Sequence, residues 1–289
     1  MRWLMCCLTM LAVPAWAEPV HGFRFHIVTG DDSAQTRRIA DDLSKRLVPL
    51  SALFRTELAQ RRRMIYFAIG PVALRDVAAR KDDCMIIAAF TSSQVWRAIA
   101  AATTPARAAA MTAVYAEPAP ADQLRLVALL YRRPVRIAAI VGAGGAYFKP
   151  MLNGAAVVEE LAPGDDINRV INRIAPSEVL LAMPDSTVYN AENIRNILLS
   201  TYRHKQGVIG FSADMVKAGA LATTYSEIED INAQVAEMAA TFVATGTLAP
   251  PQFPRYFSTI VNEGVARSLD IDVGAAARKF AHHPPARPR

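Results

Sequence analysis

Polar side chains with hydrogen-bonding capacity gather where apolar runs end. Asp31 follows "FRFHIVTG", Ser92 and Ser93 follow "CMIIAAF", and Glu117 closes "AMTAVYAE". Asp185 and Ser186 end and follow "EVLLAMPD", and Ser212 closes "GVIGFS". Hydroxyls and carboxylates at such points do two kinds of chemistry. They cap the helix that follows, or they bind a small molecule at the carboxyl edge of a sheet. If the runs are parallel strands, these residues share one rim.

Catalytic constellations are not expected. His21, His26, His204, His282 and His283 lack the spacing with Cys, Asp or Glu that a metal site needs. No serine sits in G-x-S-x-G. The acidic pairs Asp31-Asp32 and Asp165-Asp166 precede helical patterns, where carboxylates complement the helix dipole. For the first pair a ligand role stands beside capping, because it also follows the first strand. "VGAGG" (Val141 to Gly145) matches the start of a dinucleotide fingerprint, but position 147 is tyrosine, so a tight strand-to-helix turn is expected. The chain is therefore read as a non-enzyme without cofactor or metal. Cys84, within an apolar strand, reads as a buried, inert thiol.

The elements that position these residues alternate. Strands are expected at 23–30, 63–70, 84–90 and 110–117, with helical patterns between them; Pro71 stands near the first turn of one helix. Continuous apolar strands separated by helices predict a parallel sheet covered on both faces. "EPAPADQ" marks a crossover into a second block, where the alternation restarts. The small-residue stretch "GFSADMVKAGALATTY" reads as a strand end, a short helix closed by Gly219, and another strand. Ser226 and Glu229 are spaced as a capping box for a long helix. A late strand, "RYFSTIVN", and a last helix, "EGVARSLDI", complete the pattern.

The 289 residues are 52% hydrophobic and 20% charged, enough apolar material for one large or two medium cores. "MRWLMCCLTMLAVPAWA" carries an early arginine, a short apolar run and a small-x-small ending. It reads as a signal peptide over residues 1–17, implying a soluble protein exported to the periplasm. The net charge of +6 lies partly in "QRRRM" and "HHPPARPR". Neither run has interleaved aromatics, so a solvated surface is expected and nucleic acid is not a predicted partner.

Four stretches, "YAEPAPADQLRLVALL", "VLLAMPDSTVYNAENIRNIL", "GVIGFSADMVKAGALATTY" and "FSTIVNEGVARSLDI", resemble the substrate-binding proteins of ABC transporters. The family is the one whose better-known members bind aromatic amino acids. The resemblance runs from about Thr112 to Val273 and is weaker, and shorter, over the first block. It implies a periplasmic-binding-protein type I fold: two doubly wound parallel-sheet lobes that close on a solute. Lobe 1 is then residues 22–117 plus 226–273, lobe 2 is 118–225, and 274–289 is a flexible tail. The implied pocket residues are Asp185, Ser186, Tyr189 and Asn190, then Ser212 and Ala213, faced by Ser92 and Ser93. Asp31 is a further ligand candidate, and Tyr115 and Tyr225 fall near the crossings as hinge or wall residues. The implied partners are a small-molecule solute, bound by a monomer, and the membrane permease of an ABC importer. The shortened first block motivates the alternative, a sensory or accessory module that binds a partner and has a degenerate pocket.

Overall fold

The structure is a computed structural model that describes residues 22–53 and 62–285. The signal-peptide reading lies outside these residues. The first sheet holds β1 (Gly22–Thr29), β2 (Arg62–Ile69), β3 (Cys84–Thr91) and β4 (Met111–Tyr115) in that order, all parallel. Between them run α1 (Ala34–Leu53), α2 (Gly70–Ala78), α3 (Ser93–Ala101) and α4 (Pro105–Ala109). The period-2 alternation of strand side chains builds two cores from one sheet. Ile65 and Phe67 pack with α1 on one face, while Tyr66 and Ala68 pack with α2 and Trp96 on the other. Because β1, β2 and β3 step across the sheet in one direction, the β1–α1–β2 connection has the opposite hand to the next two, which is rare.

The chain then crosses to the second lobe through α5 (Pro120–Tyr131) and β5 (Ile137–Val141). A 3-10 turn (Ala143–Phe148) leads into α6 (Lys149–Leu152), β6 (Val157–Glu160), α7 (Ile167–Ile174) and β7 (Val179–Leu181). There follow α8 (Ala191–Arg203), β8 (Gly207–Ile209), α9 (Ala213–Ala218) and β9 (Ala222–Tyr225). Next α10 (Ile228–Thr245) returns to the first lobe, where Ile231, Val235 and Phe242 complete the core beneath α1. Its fully buried Asn232 donates from Nδ2 to Ile39 O and Asp42 Oδ2, both at 3.0 Å. Residue 252 extends the first sheet beside β4, with Tyr115 N donating to Gln252 O and Gln252 N to Ala113 O.

The end of the chain departs from the sequence expectation. β10 (Ser258–Val261) pairs antiparallel with β9, giving a second sheet ordered β10-β9-β8-β7-β5-β6. α11 (Glu263–Ser268) and α12 (Ala275–Arg278) bury Ala266 and Ala277 in the second core. Residues 226–273 therefore do not all belong to the first lobe: α10 and residue 252 do, and the chain from β10 onward does not. Nor is 274–285 a loose tail. Ala277 is fully buried, and Phe257 and His282 exchange backbone hydrogen bonds at 2.8 and 2.9 Å. The capping box at α10 is offset by one residue, since Asp230 accepts from Glu227 N while Ser226 Oγ donates to Tyr256 O.

Candidate functional site

In each lobe the strands end at the edge that meets the other lobe. On the first-lobe side β3 stops at Thr91, and Ser92 becomes the N-cap of α3 by accepting from Val95 N at 3.3 Å. Ser93 follows, fully buried, and its N–H donates to both carboxylate oxygens of Glu117, at 2.9 and 3.1 Å. Glu117 lies two residues beyond the end of β4 and is 3% exposed. It sits as an internal anion at the α3 N-terminus, where backbone N–H groups favour negative charge. Among the described residues no lysine or arginine pairs with it. Burial raises the Glu117 carboxyl above its ordinary range, against the Ser93 hydrogen bonds that lower it. Tyr115 ends β4 with its ring edge-on to Trp96 and Phe253, at 6.1 and 5.1 Å. Burial, reinforced by Glu117, pushes its phenol to about 12.

On the second-lobe side β5 ends at Val141 and the chain tightens at once into the 3-10 turn. Asp185, fully buried after β7, pins that turn: Gly142 N donates to its Oδ2 at 2.8 Å. Its Oδ1 accepts from Thr187 N at 3.0 Å and Thr187 Oγ1 at 2.6 Å. The approach is close enough to require glycine, since a Cβ on Gly142 would lie 2.0 Å from Thr187 Oγ1 and one on Gly145 2.6 Å from Asp185 Oδ2. "VGAGG" is thus a tight strand-to-turn junction held by a carboxylate.

The lobes touch through this pair of structures. Tyr147 hydrogen-bonds through its hydroxyl to Ser93 Oγ, and the Arg97 guanidinium lies 4.6 Å from the Tyr147 ring centre. Gly144 lies against the Gln94 amide, where a Cβ would come within 1.8 Å of Nε2. Burial raises the Tyr147 phenol well above its ordinary value. The site is a seam of hydroxyl, amide, carboxylate and aromatic groups at facing strand ends, able to hydrogen-bond and stack on a small molecule.

The predicted residues divide by position. Ser93 lies in the seam, Tyr115 ends β4 behind it, and Asp185 is the pin of the second-lobe wall. Exposed Ser186 lines a first-lobe cavity beside Gln94. Asn190 is exposed and caps α8, accepting from Glu192 N and Asn193 N, and Tyr189 is buried against Phe211. Ser212 caps α9 through Met215 N, with Ala213 beginning that helix, and Tyr225 ends β9 partly buried. Asp31 is exposed and accepts from Ser33 N at 2.8 Å, a turn ahead of α1. Gln94, Arg97, Tyr147 and Thr187 were not anticipated. Of these only Tyr147 carried a signal, as the residue that interrupts the glycine pattern.

Glu117→Gln tests the electrostatics of the seam. A raised carboxyl pKa in the folded state contributes stability below the ordinary value of about 4.3, and this contribution is lost as pH rises through the folded value. The amide removes the buried charge yet still accepts from Ser93 N. The variant is expected to gain on wild type as pH rises from 4 to 8, because only wild type must then hold a buried charge. Calorimetry at the two pH values checks this.

Among the described residues no group of His, Cys, Asp and Glu is placed to hold a metal ion, and no helix is long and apolar enough to cross a membrane. Two lobes, one with an all-parallel sheet and one with a sheet parallel except at β10, are joined by three crossings with strand ends facing, a periplasmic-binding-protein type I-like fold. Among solved structures the chain is similar to an ABC domain from Streptococcus pneumonia in complex with L-Trp, with TM-score 0.54 and 13% identity over 91% of this chain and 99% of that one. It is also similar to the ligand-free, open form of a Clostridium difficile substrate binding protein with adhesive properties, with TM-score 0.60 and 15% identity over 87% and 96%. A conserved domain protein from Vibrio cholerae gives TM-score 0.53 and 15% identity over 91% and 99%. No protein-family model and no curated protein matches the sequence.

Proposed function

We propose that the protein is an exported solute-binding protein that captures a small organic solute between its lobes and delivers it to the membrane permease of an ABC importer. The observation that carries this is the seam itself: polar and aromatic groups at the ends of β3, β4, β5 and β7 meet across two lobes. The chain crosses between those lobes three times, at 117–120, 225–228 and 254–258, an arrangement suited to hinged closure. The solute sits among Ser93, Glu117, Tyr147 and the Gly142–Gly145 turn, with Tyr115 as wall and Asp185 as support. The protein acts as a periplasmic monomer after loss of residues 1–17. The L-Trp complex of an ABC domain and the substrate binding protein of the same fold support this reading.

A thermal-shift screen of amino acids, polyamines, organic acids and sugars tests it, since a ligand bound only by the native state raises the melting temperature. A solute at 100 times its dissociation constant is expected to add about 2.7 kcal/mol. A second reading, a partner-binding accessory module, is favoured by two observations: Ser93 and Tyr147 satisfy each other across the lobes, and Ser186 opens onto a cavity outside the seam. A screen with no stabilising solute, together with capture of a defined partner through the first lobe, selects that reading.

A further inference from the structure

An open groove of about 1050 Å³ lies on the first lobe along α2, α3 and α4, with Ser186 of the second lobe on its lining. This is the size of a small-molecule site. Val95, Ala98, Ile99 and Ala102 recur at helical spacing along α3 and, with Ala78 of α2, give it an apolar wall. Val95 and Ile99 are half-buried and Ala98 is exposed, so the stripe borders the groove, with Ile99 also packing against the first-lobe core. From Val95 to Ala102 it extends about 10 Å.

The end remote from Ser186 is cationic. Arg75, Arg80, Lys81 and Arg107 line the cavity against Asp82 and Asp83. Both carboxylates have partners, since Asp82 Oδ2 accepts from Tyr66 OH at 3.1 Å and Asp83 pairs with Arg63 at 3.8 Å. The Arg107 guanidinium is fixed in place by uncharged acceptors. It donates to Cys84 O and Sγ at 3.3 and 2.9 Å, and to the carbonyls of Arg80 and Asp82, both at 2.7 Å. Its charge is thus held at the foot of the groove with no carboxylate pairing with it among the described residues, and exposed Lys81 stands beside it on the α2–β3 loop.

We infer that this groove is a second ligand site, separate from the interlobe seam, that takes an amphipathic carboxylate. The apolar chain lies on the α3 stripe and the carboxylate turns to the Arg75, Lys81 and Arg107 end. An apolar wall about 10 Å long with one cationic end matches a medium-chain organic acid in both shape and charge.

The test uses octanoate, octanol and octylammonium as probes with the full mature chain, read by isothermal titration calorimetry at low salt. Octanoate is expected to bind one-to-one, octanol at least about tenfold more weakly, and octylammonium not measurably. Ala98→Trp fills the groove from an exposed position and is expected to abolish octanoate binding. The double variant Arg75→Glu, Lys81→Glu is expected to weaken it about tenfold or more, with the loss shrinking at high salt. Circular dichroism checks that both variants fold. The inference is overturned if octanoate does not bind, if octanol binds as tightly as octanoate, or if folded Ala98→Trp binds octanoate as wild type does.

Discussion

Asp185→Ala is expected to lower the unfolding free energy by about 3–5 kcal/mol, among the largest effects of any single substitution in the seam. The carboxylate is fully buried and accepts three hydrogen bonds, from Gly142 N, Thr187 N and Thr187 Oγ1. Bonds to a charged acceptor are each worth about 1.5–3 kcal/mol, and alanine leaves the buried Gly142 N–H with no acceptor, while exposed Thr187 can turn to water. Asp185→Asn separates charge from shape. Its carboxamide keeps one oxygen, but its NH2 must face either Gly142 N–H or Thr187 N–H, donor against donor. The amide is therefore expected to fall between wild type and alanine. Urea titration of the three proteins gives the order. Equal stabilities would show that the pin contributes nothing to the Gly142 turn. Solute affinity is expected to fall in the same order, because the turn that Asp185 holds carries Gly144 and Tyr147 to the other lobe.

Gly144→Trp is expected to lower solute affinity about 100-fold while changing stability little. Gly144 lies on the surface of the 3-10 turn, where even a Cβ would sit 1.8 Å from the Gln94 amide nitrogen and 2.9 Å from its Cδ. The half-exposed glutamine can move aside for a methyl group, but not for an indole wedged between α3 and the turn. Each lobe keeps its own core, so the wedge acts on closure. If it reduces the closed population to about 1%, apparent affinity falls by the same factor. Small-angle scattering of the solute-loaded proteins checks the cause: wild type compacts with solute, and the variant stays extended. Unchanged affinity in Gly144→Trp would place the solute away from this seam.

How far the sequence could be read follows from the range of each interaction. The parallel sheets were legible because "RMIYFAIG" and "CMIIAAF" are apolar on both faces, which only a doubly covered sheet satisfies. Helix caps at Ser92 and Ser212 were legible because the bond closes within three residues. Glu117 was visible as a polar group after a strand, but its partner Ser93 lies 24 residues away on another connection. The Ser93–Tyr147 contact spans 54 residues and two lobes, beyond any local pattern. The destination of "RYFSTIVN" was misread for a similar reason. Its four-residue strand is only half-buried, and the choice of sheet is made by pairing with β9 and by Ala266 and Ala277 beneath it. The α10 cap slipped by one because Ser226 is drawn away to Tyr256 O, leaving Asp230 to serve Glu227.

Native mass spectrometry of the mature protein and of Gly144→Trp, each incubated with the same solute panel, tests the central claim most directly. The account predicts one solute bound one-to-one by wild type and lost from the variant. Wild type that carries no solute from the panel, or a solute retained equally by both proteins, would contradict it.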